Sequence, residues 1–206
     1  MFKFNFRSIF IGLLLMPLLA TGQVQETVYG SARIKGGFGG PFFLYSTVAE
    51  MNGGGAGGGG GFIVNNFFIG GFGQGETFGR VDYNAQEYQL SIGYGGFWIG
   101  YVIPSHKLMH LYTSLKIGWG GAVLSEYHRG DFSFDHDIQY DDAAFVIHPE
   151  AGVELNVTHW FRMAAVGGYR FMNGVNDLPT FSSDDFDSPS LSLVMRFGGF
   201  GYPRAD

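Results

Sequence analysis

Between Gly36 and Gly75 the chain reads GGFGGPFFLYSTVAEMNGGGAGGGGGFIVNNFFIGGFGQG, glycine and aromatic residues with a two-residue break at Asn65-Asn66. A stable helix is excluded over the run from Gly53 to Gly61, because each glycine costs about 1 kcal/mol against alanine. The run also brings too little side-chain volume to build a soluble core. A closed ladder of backbone hydrogen bonds in lipid tolerates such a sequence. There every N–H and C=O is paired between strands, and the side chains need only be small inside and apolar outside.

The start of the chain, MFKFNFRSIFIGLLLMPLLATG, reads as an export signal. Lys3 and Arg7 precede an apolar stretch, Ile9 to Leu19, that is too short to span a bilayer comfortably, and Ala20-Thr21-Gly22 supplies small residues before a cleavage expected ahead of Gln23. There is no cysteine, so no disulfide or lipoprotein anchor is expected. Removal of the signal leaves ten Lys and Arg against eighteen Asp and Glu, a balance of −8 that argues against a nucleic-acid partner. Charged residues are 15% of the chain and aromatic residues 17%. A soluble domain carries about 25% charge. No second apolar run near 18 residues follows the signal, which excludes a helical membrane protein. The expected organisation is a signal peptide (1–22), a periplasmic lead-in (23–38), one barrel domain (39–202) and a short tail (203–206).

Eight strands are expected, at 39–49, 53–64, 67–76, 88–102, 107–124, 142–156, 160–173 and 189–201. Their lengths exceed the five or six residues usual in soluble sheets and suit tilted strands crossing a bilayer. Tight turns are expected at Asn65-Asn66, near Pro104-Ser105 and at Val157 to His159. Longer loops are expected at 75–87, 125–141 and 173–188, with one short connection at Glu50-Met51-Asn52. Short turns at one end and long loops at the other mark a membrane barrel, and an even strand number puts both termini at the short-turn end.

The later strands alternate with period two. Met109, Leu111, Leu115, Ile117 and Trp119 share one face, with His110, Tyr112, Ser114 and Lys116 on the other. The same reading turns Glu150, Glu154, Arg162, Arg170 and Arg196 inward, with apolar residues outward. A three-residue turn at Val157 to His159 would place residues whose numbers sum to 316 opposite one another, and so Glu154 opposite Arg162. Lys116, Glu150, Glu154, Arg162, Arg170 and Arg196 are therefore the expected interior charge cluster. An eight-stranded interior is just wide enough to be filled by side chains. The first four strands are expected to line the interior mostly with glycine, the space being taken by Phe43, Tyr45 and Tyr94.

No catalytic, cofactor or metal site is expected. The glycine runs lack the Lys-Ser/Thr and following helix of a phosphate loop. Asp131, Asp135, Asp137, Asp141 and Asp142, with His128 and His136, make an acidic loop without calcium-loop spacing, as do Asp177, Asp184, Asp185 and Asp187. Divalent cations bridging these loops to lipopolysaccharide are the sharper reading. His148 is expected near mid-depth with no serine nucleophile beside it.

The signal segment, the hairpin FIVNNFFIG (62–70) and the closing strand LSLVMRFGGFG (191–201) resemble those of the small OmpA/OmpX-like, porin-family outer-membrane barrels of Gram-negative bacteria. That resemblance implies an all-β, transmembrane, antiparallel up-and-down barrel of eight strands in the outer membrane, with periplasmic termini. It implies contact with outer-membrane lipid and lipopolysaccharide, and insertion by the barrel-assembly machinery through an aromatic residue near the end, here Phe200 or Tyr202. A structural or surface-interaction role is expected. A narrow passive channel, a lipid-modifying enzyme and a secreted soluble β-sandwich are the alternatives.

Overall fold

The computed structural model describes residues 34–84, 86–102, 107–126 and 138–201. The expected signal segment, the lead-in as far as residue 33, the turn at Pro104-Ser105, the loop residues His128, Asp131, Asp135, His136 and Asp137, and the tail from Tyr202 lie outside these residues. Eight strands form a closed antiparallel barrel in chain order. They are β1 (Ile34–Val48), β2 (Met51–Val64), β3 (Phe67–Tyr83), β4 (Gln86–Val102), β5 (Met109–Glu126), β6 (Ile138–Asn156), β7 (Phe161–Asn173) and β8 (Ser188–Gly198), with a 3-10 helix at Ser183–Phe186 before β8.

The register fixes the geometry. From Gly36 the partners run Ile63, Phe68, Gly100, Ser114, Glu150, Gly168 and Ser190, returning to β1 at Ser46. One circuit therefore climbs ten residues of β1. With about 3.4 Å per residue and 4.8 Å between strands, that stagger over eight strands gives a tilt of about 40°.

The outer surface is apolar. Phe62, Phe67, Phe97, Leu111, Trp119, Phe171 and Leu191 are all exposed, while Phe68, Trp98, Tyr112, Met172 and Ser192, each next in sequence to one of them, point inward and are buried. Aromatic residues gather in two belts. Near the termini, Phe67 packs on Tyr101 and Phe197 stacks between Trp160 and Phe161. Towards the other end lie the pairs Trp119–Phe145 and Tyr169–Phe171. Phe161 and Phe171 are ten residues apart on β7. At the derived tilt this is about 26 Å along the barrel axis, the height of the apolar band of a membrane barrel.

Three local expectations are corrected. The expected loop at 75–87 is strand: β3 runs to Tyr83, β4 starts at Gln86, and the turn contains Asn84 at φ 50°. The polar residues there continue the ladder above the apolar belt, with Thr77 opposite Ser91 and Arg80 paired to Glu87. The first hairpin turns at Ala49-Glu50, both at positive φ (46° and 67°), so Met51 and Asn52 belong to β2. The β6–β7 register is displaced by two residues, with Glu154 opposite Ala164 and Arg162 opposite Asn156. The cause is that the turn residues are 158–160 in place of 157–159, with Val157 opposite Phe161. Val157 and Thr158 both donate to the Phe161 carbonyl, while the Thr158 hydroxyl accepts from the Trp160 and Phe161 amides. A shift of two preserves the faces.

The glycine-rich wall also differs from expectation. Phe43 and Tyr45 point outward, about half exposed, whereas Tyr94 is inside. The interior of β1 to β4 is occupied by Phe38, Phe42, Phe68, Phe72, Tyr94 and Trp98. The inward glycines of β2 make room for these rings. A Cβ at Gly57 would overlap Phe42, one at Gly53 would overlap Phe78, and one at Gly59 would press on Trp98. The β2 glycines are in ordinary extended backbone, so what they contribute is missing volume.

Substitution should separate the two faces of the wall. Gly57→Ala is expected to cost about 1–3 kcal/mol by overpacking. Gly73→Ala, whose Cβ meets nothing within 4 Å, should be neutral or stabilising. Urea unfolding in detergent micelles reads both, and equal effects would refute the assignment.

Candidate functional site

The chemistry-bearing side chains lie inside the barrel, in three layers. Nearest the termini, Glu154 on β6 is fully buried and gathers three partners. Its Oε1 lies 2.7 Å from His110 Nε2 and 3.1 Å from Arg162 Nη1, and its Oε2 pairs with Arg196. Aromatic faces cover both guanidinium groups. Arg162 lies 3.9 Å above the Phe200 ring, and Arg196 sits about 5 Å from Phe38 (4.8 Å) and Tyr112 (5.0 Å). Such contacts add attraction where water is excluded. Phe200 thus closes this end from within and does not face lipid; Tyr202 lies outside the described residues.

At mid-depth, Lys116 on β5 donates to Glu150 Oε1 at 2.9 Å and to Gln74 Oε1 at 3.3 Å, and lies 4.0 Å over the ring of Phe42. Ser114 donates to the other Glu150 oxygen at 2.7 Å. Gln74 donates to Tyr94 at 2.7 Å, and Tyr94 lies 3.2 Å from His148 Nδ1. His148 Nε2 is 2.7 Å from Ser190 Oγ. The expectation that no serine stands beside His148 is thus corrected. The two residues sit on β6 and β8, and they meet because Gly168, on the strand between them, has no Cβ to separate them.

The third layer is Arg170 on β7. It pairs with Glu76 on β3 at 2.7 Å and donates to Ser188 at 2.9 Å. Ser46 bonds the same carboxylate. Arg170 Nε also donates to the Phe186 carbonyl at 3.1 Å, which ties the layer to the β7–β8 connection. That connection folds over the barrel mouth, with Val175, Leu178 and Phe186 all buried. It is fixed by Ala49 N–H to Asp185 O (3.0 Å) and by Met172 N–H to the Asp187 carboxylate (2.8 Å).

All six residues of the expected charge cluster are buried in this interior, in separate layers: Lys116 with Glu150, Glu154 with Arg162 and Arg196, and Arg170 with Glu76. Sequence reasoning missed Glu76 because it stands where the expected strand 67–76 and the expected loop 75–87 overlap. The alternation Phe72, Gln74, Glu76 on an inward face was the available signal. The described interior acids are Glu76, Glu150 and Glu154 and the bases Lys116, Arg162, Arg170 and Arg196, so opposite charges nearly balance.

The described surface beyond the upper aromatic belt is acidic. Glu50, Asp82, Glu87, Asp141, Asp177 and Asp184 are exposed there, with Arg80 as counter-charge to Glu87. Among the described residues, no three His, Asp or Glu converge as metal ligands. Asp142, level with Asp141 and above the apolar belt, accepts the backbone N–H groups of Asp177 (2.7 Å) and Asn176 (2.5 Å). These donors hold its carboxyl below the usual range. The native state favours the ionised form, so this tie is present above the ordinary carboxyl pKa and is lost as pH falls through the depressed one. Amide protection factors at Asn176 and Asp177 should fall at acid pH, and Asp142→Asn should bring that loss of protection to neutral pH.

Glu154 gives the sharpest energetic test. Glu154→Ala leaves two buried guanidinium groups without their carboxylate, a loss expected to cost about 3–5 kcal/mol. Adding Arg162→Ala should cost less than the sum of the single changes. Strict additivity in unfolding titrations would refute the coupling.

No protein-family model and no curated protein sequence matches the chain. Solved structures do. The chain is similar to Neisserial surface protein A, at 13% identity and a TM-score of 0.59, over 82% of this chain and 99% of that one. Ail, the attachment invasion locus protein of Yersinia pestis, solved with the heparin analogue sucrose octasulfate, is matched at 17% identity and a TM-score of 0.47, over 79% and 97% of the two chains. The chain has the fold of the small eight-stranded outer-membrane β-barrels.

Proposed function

We propose that this protein is an integral outer-membrane barrel with a structural or surface-interaction role, its lumen filled by side chains and its termini in the periplasm. The observation that carries the reading is the inversion of the molecule: an apolar outer face between two aromatic belts encloses ion pairs that reach across the interior, such as Arg170–Glu76. Water cannot stably cover the first, and a soluble sandwich does not bury the second. The connection 174–187, and the strand ends Glu126 and Ile138 between which the chain has eleven further residues, lie at the end away from the termini, which supports loops on the cell surface.

Catalysis is not part of this reading. The Ser190–His148 pair is buried at mid-depth beside Tyr94 and Gly168. A passive channel is disfavoured by Phe38 and Phe200 towards one end and by Phe186 and Leu178 at the other. The exposed acidic end suits cationic partners better than polyanions. Divalent cations spread over it would bridge to the anionic groups of lipopolysaccharide. Insertion by the barrel-assembly machinery belongs to the same reading, with Phe197 as the outward aromatic residue at the end of β8.

Planar-bilayer recordings should show no conductance steps, and regular openings would overturn the filled lumen. The protein should need detergent for extraction and should change gel mobility on heating. Recovery from the aqueous phase without detergent would overturn the membrane assignment. Ser190→Ala should leave the lipid A profile of the host unchanged.

A further inference from the structure

The outer face carries a groove of about 440 Å³ where β7, β8 and β1 adjoin, walled by Phe43, Tyr45, Leu191 and Leu193 and reaching Ala165. A smaller hollow of about 200 Å³ continues from Tyr45 and Leu191 past Pro189 to Thr47. The register explains the shape. Phe43, Leu193 and Ala165 form one outward row across the three strands, and Tyr45, Leu191 and Gly167 form the next. Two large side chains are followed by a small one in each row, so the surface drops beside the leucines. The groove lies in the half of the apolar band nearer the loops, between the row of Leu193 and that of Pro189, which is level with Tyr169 of the upper aromatic belt.

We propose that this groove holds one acyl chain of lipid A, with the lipid's ester and sugar at the level of Tyr45 and Thr47. The proposal rests on the outer-membrane reading above. Its lining is apolar along the length, and its upper end carries the two hydroxyl-bearing side chains, Tyr45 and Thr47. That polarity order is the order of a lipid. From Pro189 to Leu193 the groove covers about 13 Å of strand, or about 10 Å along the barrel axis at the derived tilt, about two-thirds of the roughly 15 Å depth of one hydrocarbon leaflet. An apolar cavity of about 150 Å³ is enough to bind benzene while staying dry. The groove is continuous with the face already in contact with hydrocarbon and is too large to stay empty there. The leaflet at the loop end is the cell-surface one, which selects lipid A over phospholipid as the chain donor.

The test is native mass spectrometry of the full barrel, extracted from outer membranes in mild detergent and then titrated with purified lipid A or with phosphatidylethanolamine. Wild type should carry a one-to-one lipid A adduct. Ala165→Phe, which fills the groove, should lower that adduct roughly tenfold. Gly93→Phe, an equally outward change on β4 at the far side of the ring from β8, should leave it intact. All three proteins are first checked for heat-modifiable mobility, so that failure of the membrane reading is seen separately. Equal adducts in all three, an adduct with phosphatidylethanolamine alone, or no adduct in wild type would overturn the proposal.

Discussion

Closure of the hydrogen-bonded ladder is the constraint on which the rest depends. In hydrocarbon an unpaired backbone group costs several kcal/mol, so a sheet there has to leave no edge. The pairing of β1 with β8, after a climb of ten residues around eight strands, meets that demand. It also sets the interior radius and therefore the volume that inward side chains must share. A soluble protein adjusts its core by moving layers apart. A closed barrel has no such freedom, and excess bulk on one strand has to be matched by absence on another. The rings of Phe42, Phe78 and Trp98 face the inward glycines of β2 for this reason. Phe68 likewise occupies the place where a Cβ at Gly100 would stand.

The same closure governs the charges. A buried carboxylate without partners would be prohibitively expensive, and a lone guanidinium equally so. Each interior acid therefore has at least one cation within hydrogen-bonding reach, and two of the pairs link strands that are not neighbours. Arg170 on β7 meets Glu76 on β3, and Arg196 on β8 meets Glu154 on β6. Backbone hydrogen bonds tie each strand only to the next. The ion pairs brace the ring across its width and fix which side chains share a level.

Much of this was legible in the sequence because strand periodicity is a local property. Alternation along β5 to β8, as from Met109 to Trp119 and from Leu191 to Phe197, assigns faces without reference to any partner, and so places the six interior charges inside. What required coordinates was non-local. Glycine carries no hydrophobic signal, so nothing in 53–61 says which glycines meet a ring. Phe43 and Tyr45 follow two further large residues, and their outward parity emerges only from the β1–β8 register. The two-residue displacement at β6–β7 depends on the Thr158 hydroxyl capping a turn at 158–160. Glu76 was hidden because it stands where the expected strand and the expected loop overlap, although the ladder continues through both.

The glycines on the outward face raise a separate point. Gly58, Gly73 and Gly95 lie side by side on β2, β3 and β4, and Gly60 and Gly71 form the row beside them. None of these has to be small for the sake of the interior, since their Cβ positions point away from it. A lipid chain against bare backbone gains less contact than one lying between side chains such as Leu191 and Phe43, because dispersion is summed over close atoms. The circumference is thus uneven towards the membrane, smooth where these five glycines adjoin and ridged over β7, β8 and β1. Lipid contact on this barrel is consequently weighted towards the ridged side, where bulky residues and small ones alternate across adjacent strands.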